Sequence, residues 1–205
     1  MTTNVGSAIA TGASVTIPAH QAGDLLVIFA NRLDEATIPT LPSGWTSAAT
    51  KTGTNRAGRV GYRVATGSGT TSGTWTGAKT TLVWVLRDHG GIGAAAVGAA
   101  TTLPALTLTG SSSWVGALQT GSNLLPAVPS GMTSRANGFW ERVADTNGTV
   151  SSCASQSAFD GMHAAVEVLG NAASTTDADT ITLTDTAAVA ATLTASDTAT
   201  AVESA

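Results

Sequence analysis

Short apolar segments, separated by turn-forming residues, recur along the whole chain. The segment 59–65 alternates apolar residues with polar or small ones, which is the period of two expected for a half-buried strand. The segments 25–30 and 82–86 are continuous apolar runs. Their length and their β-branched and aromatic content favour central strands over helices. The hydrophobic pattern therefore predicts a protein built mainly from β-strands.

Turn signals are dense, and helix signals are weak. Asn147 and Gly148 accept positive φ angles, so the segment 145–148 predicts a tight turn between two strands. The best helix candidate, residues 92–100, is rich in alanine but contains glycines that disfavour a helix interior. We expect this segment to be a loop.

The order of patterns in the first part of the chain returns in the second part. The matched segments are 14–17 with 105–108, 25–30 with 114–119, 42–47 with 129–134, 63–65 with 142–144, and 82–86 with 164–168. Many short strands with regular turns predict an antiparallel β-sandwich or barrel. We therefore expect an all-β fold, a jelly-roll-like antiparallel β-sandwich built from two pseudo-repeated halves of about four strands each.

The domain organisation follows from this repeat and from a change in composition near Asn171. Residues 1–171 are expected to form the duplicated sandwich, with halves at about 9–88 and 101–170. Residues 172–205 contain five acids and no base and are rich in Thr, Ala and Asp. This acidic extension is either a linker or a segment that docks on a partner. Its strand candidate, which would add to a partner's sheet, comprises Thr180, Ile181, Thr182, Leu183 and Thr184.

The composition excludes several classes of function. The net charge is −4 and only 11% of residues are charged, which argues against a nucleic-acid partner. No stretch reaches the ~20 apolar residues of a membrane span, so no membrane insertion is expected. The N-terminus lacks the features of a secretory signal. Cys153 is the single cysteine, and it is expected to be a small buried residue and not a reactive thiol.

The residues that catalysis or metal binding would need are scattered. The histidines, His20, His89 and His163, are far apart in sequence, so we predict no metal site and no cofactor. Glu141 and Glu167 are the only strand carboxylates that suggest glycosidase chemistry. The alternative is that both face solvent or pair with arginines, and we expect a non-enzymatic protein. A surface hydrolase that uses either glutamate is the third hypothesis.

The tryptophans are the main candidates for contacts. Trp84 and Trp114 lie within strand patterns and are expected in the core. Trp45 and Trp75 follow turn-rich segments, where each either stacks on a sugar or plugs an open end of the sandwich. Trp140 follows Phe139 on a predicted strand, so one of the two faces outward or is covered by a neighbour, and an outward ring suggests a contact with a subunit or partner.

Three stretches carry a resemblance to a known group of proteins. They read IPAHQAGDLLVIFA (17–30), LPSGWT (41–46) and GYRVATGSG (61–69). The chain resembles β-sandwich virion proteins of tailed bacteriophages, of the minor tail, fibre or head-decoration type. The resemblance implies a non-enzymatic structural protein of the virion, made in the host cytoplasm and attached to capsid or tail subunits as a homo-oligomer. It brings no catalytic or binding residues with it.

The second hypothesis is a carbohydrate-binding adhesion module that attaches to a glycan on the host surface. In either case we expect the contacts at positions where the halves differ. The differences are Tyr62 against Glu141, Gly61 against Trp140 and Trp45 against Met132, together with the unrepeated extension.

Overall fold

The computed structural model describes residues 2–171, and this part of the chain consists of strands, turns and connecting segments. The strands are β1 (Thr3–Thr11), β2 (Leu25–Arg32), β3 (Thr46–Gly53), β4 (Arg56–Val64), β5 (Thr80–Arg87), β6 (His89–Leu103), β7 (Ser113–Gly121), β8 (Thr133–Asn137), β9 (Glu141–Asp145) and β10 (Gln156–Gly170). Among these residues, no helix is long and apolar enough to cross a membrane.

The ten strands form two antiparallel sheets with the same internal order. Sheet 1 runs β1-β5-β2-β4-β3, and sheet 2 runs β6-β10-β7-β9-β8. Each strand of the second half therefore takes the place of the strand five earlier in the chain. The expected all-β sandwich of two pseudo-repeated halves is confirmed, with each half supplying one complete sheet.

The two sheets stack face to face in an arrangement that preserves the repeat. β3 lies against β6 and β1 lies against β8, while β5 lies against β9 and β4 against β10. Exchanging each strand for its counterpart in the other half gives the same set of contacts. The two sheets are therefore related by an approximate twofold axis. Near this axis the buried Asn31 side chain donates a hydrogen bond to the Thr120 hydroxyl, with 3.0 Å between Nδ2 and Oγ1. These two residues occupy equivalent positions on β2 and β7.

The space between the sheets is the main core. Its buried residues are Leu25, Val27, Phe29, Val60, Leu82, Trp84 and Leu86 from sheet 1, and Val97, Trp114, Leu118, Val143, Met162, Ala164, Val166 and Val168 from sheet 2. Large and small residues complement each other across it. A Cβ atom added to Gly116 would lie 2.5 Å from the Trp84 ring, so the ring occupies the volume that the glycine leaves free.

The outer face of each sheet is also covered, by the long connections between strands. Leu26, Ile28 and Val85 of sheet 1 pack against Val15 and Trp75 from such connections. On sheet 2 the outer cluster consists of Val115, Ala117 and Ala165 with Leu103 and Leu106. The central strands are therefore buried on both faces. This explains why β2 and β5 are continuous apolar runs, since an alternating pattern requires one solvated face.

The Gly/Ala-rich segment 92–100 is not the expected loop. It lies within β6, which pairs with β10 through contacts such as Val97 with Ala164. Glycine is required there for space at one position, since a Cβ on Gly98 would lie 2.7 Å from the Thr102 carbonyl oxygen. Long-range pairing therefore imposes a strand on a segment with little intrinsic preference. With β1 and β6 included, each half has five strands and not four.

The strand registers correct one segment of the sequence alignment between the halves. Val27 pairs with Tyr62 and Trp84, and its equivalent Gly116 pairs with Asp145 and Val166. Tyr62 therefore corresponds to Asp145. It follows that the match of 63–65 with 142–144 is wrong, because 142–144 correspond to 59–61. The contrasts of Tyr62 with Glu141 and of Gly61 with Trp140 are wrong for the same reason.

Candidate binding site

The β8–β9 hairpin carries two aromatic residues in its turn. Gly138 N–H donates to the Glu141 carbonyl oxygen at 2.8 Å, which closes the turn around Phe139 and Trp140. Their ring centroids lie 5.1 Å apart with a tilt of 59°. Phe139 is 82% exposed and Trp140 is 40% exposed. The expectation that only one of them faces outward is wrong, because both lie in the turn and not on opposite faces of a strand.

The equivalent β3–β4 hairpin is longer and ends differently. β8–β9 pairing stops at Asn137 with Arg142, whereas β3–β4 pairing continues to Gly53 with Arg56. The pairs Thr50–Arg59 and Asn137–Arg142 are equivalent, so the three further pairs of β3–β4, which end at Gly53 with Arg56, have no counterpart in the β8–β9 hairpin.

The side of the sandwich next to the β3–β4 hairpin is closed by an ion pair. The Arg56 guanidinium contacts both carboxylate oxygens of Asp160 on the other sheet, at 2.6 and 3.0 Å. The hydrogen bond from Arg56 lowers the pKa of Asp160. On the opposite side, the turn of the shorter β8–β9 hairpin leaves Phe139 exposed to solvent. We call each side of the sandwich where a hairpin of one sheet meets the edge of the other sheet a seam. The two seams of the pseudo-symmetric sandwich therefore differ.

A cleft of about 460 Å³ lies at the second seam, between the β8–β9 hairpin and the edge of sheet 1. We call it the seam cleft. Its lining residues are Ile9, Thr11, Leu33, Lys79, Thr80, Thr120, Gly121, Gly138, Phe139, Trp140 and Glu141. Both halves contribute to it, with an apolar part on the β1 side and aromatic rings on the hairpin side. The volume lies within the ~300–1,000 Å³ that is usual for small-ligand sites.

The seam cleft contains one acid and one base. Glu141 Oε2 accepts a hydrogen bond from the Trp140 backbone N–H at 3.0 Å, which holds the carboxylate beside the turn. Gly138 leaves room for this carboxylate, since an added Cβ would overlap Glu141 Oε2 unless the Glu141 side chain moved. The Lys79 side chain is 63% exposed and lies 3.7 Å from Asp34, which is a weak surface pair. Its ammonium group therefore remains available to a ligand.

Trp45 and Trp75 are not surface platforms. They are 6% and 0% exposed and pack edge to face with centroids 5.4 Å apart. The Trp75 indole N–H donates to the Ser72 carbonyl oxygen at 3.0 Å. The rings cover the outer face of sheet 1, so the glycan-stacking hypothesis for these two residues is wrong. They act as plugs, although on a sheet face and not at an open end.

Glu167 is a buried structural carboxylate. It accepts hydrogen bonds from the backbone N–H groups of Ala94, Thr109 and Gly110 and from the hydroxyls of Thr109 and Ser113, at 2.5–3.0 Å. Burial raises the pKa of this carboxyl, but the hydrogen bonds outweigh burial and lower the pKa to about 2. The group therefore ties the segment 109–113 to β6 and β10, and neither solvent nor an arginine is its partner.

Glu141 and Glu167 do not form a glycosidase pair. On β7, Glu141 pairs with Thr120 and Glu167 pairs with Val115. Five residues of strand separate these positions by about 17 Å. Glycosidases hold their carboxylates at about 5–9.5 Å. The hydrolase hypothesis has no support from the placement of these two residues.

The other buried ionisable groups also have structural partners. Arg87 contacts both carboxylate oxygens of Asp24 at 2.8 Å, and this contact lowers the pKa of Asp24. Asp145 accepts hydrogen bonds from Arg135 and from the Trp84 indole of the facing sheet. Burial raises the pKa of the Cys153 thiol, which favours the unreactive thiol form. Within the described residues, no cluster of His, Cys, Asp and Glu could hold a metal ion.

The proposed docking strand, Thr180–Thr184, lies outside the described residues. The described chain ends after β10 at Asn171. Met162 on β10 pairs with Thr120, near the aromatic hairpin, whereas Leu169 pairs with Ser113. These seven residues of strand span about 23 Å. The last described residues therefore lie at the end of the sandwich opposite the seam cleft.

The sequence predicted an outward ring among Phe139 and Trp140 but gave little indication of the rest of the seam cleft. Phe139 was paired with Trp140 on a strand, and Ile9, Leu33 and Lys79 were not considered. One signal was present, since Asn137-Gly138 directly before the aromatic pair is a turn sequence. The contribution of sheet 1 is not visible in sequence, because it depends on how the two sheets stack.

The fold and the cleft together define a two-sheet antiparallel β-sandwich with an aromatic surface cleft at one seam. No protein-family model matches the chain, and neither a curated protein nor a solved structure is significantly similar to it. The resemblance to bacteriophage virion proteins therefore stays a prediction.

Proposed function

We propose that this protein is a non-enzymatic structural component of a bacteriophage particle, on the tail or as a capsid decoration. In this proposal residues 172–205 attach the sandwich to a capsid or tail subunit, and the aromatic hairpin faces away from the particle. The partner subunits, the homo-oligomeric state and the location in the virion are parts of the same proposal.

The observation that carries the proposal is that the two ends of the sandwich differ. Phe139 and Trp140 are exposed at one end, and the chain continues into the extension from the other end, about 23 Å away along β10. Exposed aromatic pairs are uncommon on a monomer surface and typically mark contact sites. An attachment at one end and a contact site at the other suit a protein that links a particle to its surroundings.

The proposal predicts that incorporation depends on the extension and not on the hairpin. The test uses particles of a phage from which the gene for this protein has been deleted. The host cells supply the wild-type chain, a chain that lacks residues 172–205, or the Trp140→Ala variant. Density-gradient particles are then quantified for the protein by mass spectrometry. We expect the deletion to lower incorporation by about tenfold or more, which corresponds to about 1.4 kcal/mol of lost contact energy. Trp140→Ala should be incorporated at the wild-type level.

Wild-type incorporation of the deletion variant would refute attachment through the extension. Absence of the wild-type protein from purified particles would refute the virion function itself. Unfolding curves of the purified deletion variant provide the control, because they show whether residues 1–171 are folded.

The second candidate is a carbohydrate-binding adhesion module for attachment to the host surface. The composition of the seam cleft favours it, since aromatic rings lie beside a carboxylate, an ammonium group and threonine hydroxyls. This candidate function does not require that the protein be incorporated into a virion particle. Binding of the purified sandwich to host cells, without any incorporation into particles, would favour it over the first.

A further inference from the structure

We propose that the seam cleft is a saccharide-binding site, in which Trp140 and Phe139 stack on sugar rings and Glu141, Lys79 and Thr11 bind the hydroxyls. The inference rests on the proposed function in one respect, that the hairpin end of the sandwich faces outward. It goes beyond the structural role and deepens the second candidate function, because it assigns the contacts of the saccharide to named residues.

The aromatic rings provide the apolar contact that a sugar needs. A pyranose ring has an apolar face of C–H groups, and aromatic rings bury such a face while leaving its hydroxyls at the edge. Trp140 is 40% exposed and lines the cleft together with the more exposed Phe139. Because the rings are tilted by 59°, they form an angled wall and not a flat platform.

The polar lining of the seam cleft suits a polyhydroxyl ligand. A sugar hydroxyl both donates and accepts, so its site needs groups of both kinds. Glu141 supplies an acceptor that the turn already holds in place. Lys79 supplies a donor whose side chain is 63% exposed, and the Thr11 hydroxyl serves either role. Glu141 and the Asp34 partner of Lys79 leave the cleft without an excess of positive charge, which favours a neutral sugar over a polyanion.

The break in pseudo-symmetry also supports a dedicated site. At the other seam, the longer β3–β4 hairpin contacts sheet 2 through the Arg56–Asp160 ion pair and through Gly53, on which an added Cβ would lie 3.0 Å from Ala99 Cβ. A purely structural repeat would gain stability by closing both seams. The second half instead has a shorter hairpin and two exposed aromatic residues. This places apolar area in solvent, at a cost in free energy that ligand binding recovers.

The test uses indole N–H signals of ¹⁵N-labelled protein in two-dimensional NMR spectra. The chain has five tryptophans, and all except Trp140 are at most 6% exposed. Glucose, galactose, mannose, rhamnose and N-acetylglucosamine are titrated separately to tens of millimolar. We expect at least one of them to shift the Trp140 signal saturably while the signals of the buried tryptophans stay in place.

Matched variants assign the site. Trp140→Ala, followed through the backbone signals of Gly138 and Glu141, should weaken binding by about tenfold, equivalent to about 1.4 kcal/mol. Phe159→Ala removes an aromatic side chain of similar exposure, 42%, that does not line the cleft, and it should bind as the wild type does. Equal weakening by both variants would overturn the assignment.

The outcomes separate this inference from the proposed function. A Trp140 signal that none of the five sugars moves overturns the saccharide site, and particle incorporation is measured independently. If the Trp140 signal moves only when a purified particle subunit is added, the hairpin is a protein contact. In that case the saccharide site and the outward orientation of the hairpin are refuted, while a structural role in the virion stands.

Discussion

Replacing Glu167 with glutamine is expected to lower the free energy of unfolding by about 3 kcal/mol at neutral pH. The pKa of this carboxyl is about 2 in the folded protein, against an ordinary value of 4.5. A difference of this size corresponds to about 3 kcal/mol of stabilisation by the charged form. Glutamine would also direct an NH₂ group toward backbone N–H donors that have no other acceptor. Urea unfolding followed by tryptophan fluorescence measures the effect.

The same carboxyl makes stability depend on acidity in a defined range. Because its folded pKa is depressed, the stabilisation is complete above about pH 4.5 and is lost as the pH falls toward 2. Wild-type stability should therefore decrease between these values, and the decrease should be smaller in Glu167→Gln. Glu141→Gln is the matched control, since Glu141 is only partly buried and its loss should change stability by less than about 0.5 kcal/mol. Equal stabilities of Glu167→Gln and wild type would contradict the buried network.

Trp75→Ala is expected to destabilise the sandwich by about 3–5 kcal/mol, the usual result of removing a fully buried aromatic side chain. The ring packs against Trp45 and also fills the space above Gly61, where an added Cβ would lie 2.5 Å from it. Its removal would leave a cavity on the outer face of sheet 1. Thermal and urea unfolding both measure the loss.

The comparison with Trp140→Ala distinguishes a core ring from a contact ring. Trp140 is 40% exposed, so its removal should cost less than about 1 kcal/mol. A Trp75→Ala variant that unfolds at the wild-type urea concentration would show that the ring is not part of the core. Any binding lost by Trp75→Ala should be interpreted only after its stability is known.

Sequence patterns predicted the central strands well, because double-sided burial leaves a clear apolar run. They failed for β6, whose Gly/Ala-rich sequence has little strand preference and depends on pairing with β10. A local pattern cannot contain that information, since the partner strand lies about 65 residues further along the chain.

The alignment between the halves went wrong at β4 for an identifiable reason. Arg-Val occurs twice in this strand, at Arg59-Val60 and at Arg63-Val64. Arg142-Val-Ala144 shares three identical residues with the second occurrence, which favoured that alignment. The hydrogen-bond register instead matches 142–144 with the first occurrence. A shift of four residues keeps each side chain on its face, so the alternation of apolar residues could not reveal the error.

The candidate site was only partly predictable. The sequence predicted an outward ring among Phe139 and Trp140, whereas the contrast of Gly61 with Trp140 that also drew attention to this position rested on the wrong alignment of β4 with β9. The seam cleft needs residues from both halves, such as Leu33 and Glu141. Their proximity follows from the stacking of two sheets, which leaves no trace in local sequence.

The chain passes between the sheets at a single residue, Asp88, which has a φ of 54° and lies between β5 and β6. During synthesis the ribosome therefore completes the whole first sheet before it makes any strand of the second. Until β7 and β10 emerge, the inner face of the first sheet, with Phe29 and Trp84, has no partner. The nascent first half is thus the stage at which this protein is most exposed to aggregation and most dependent on chaperones.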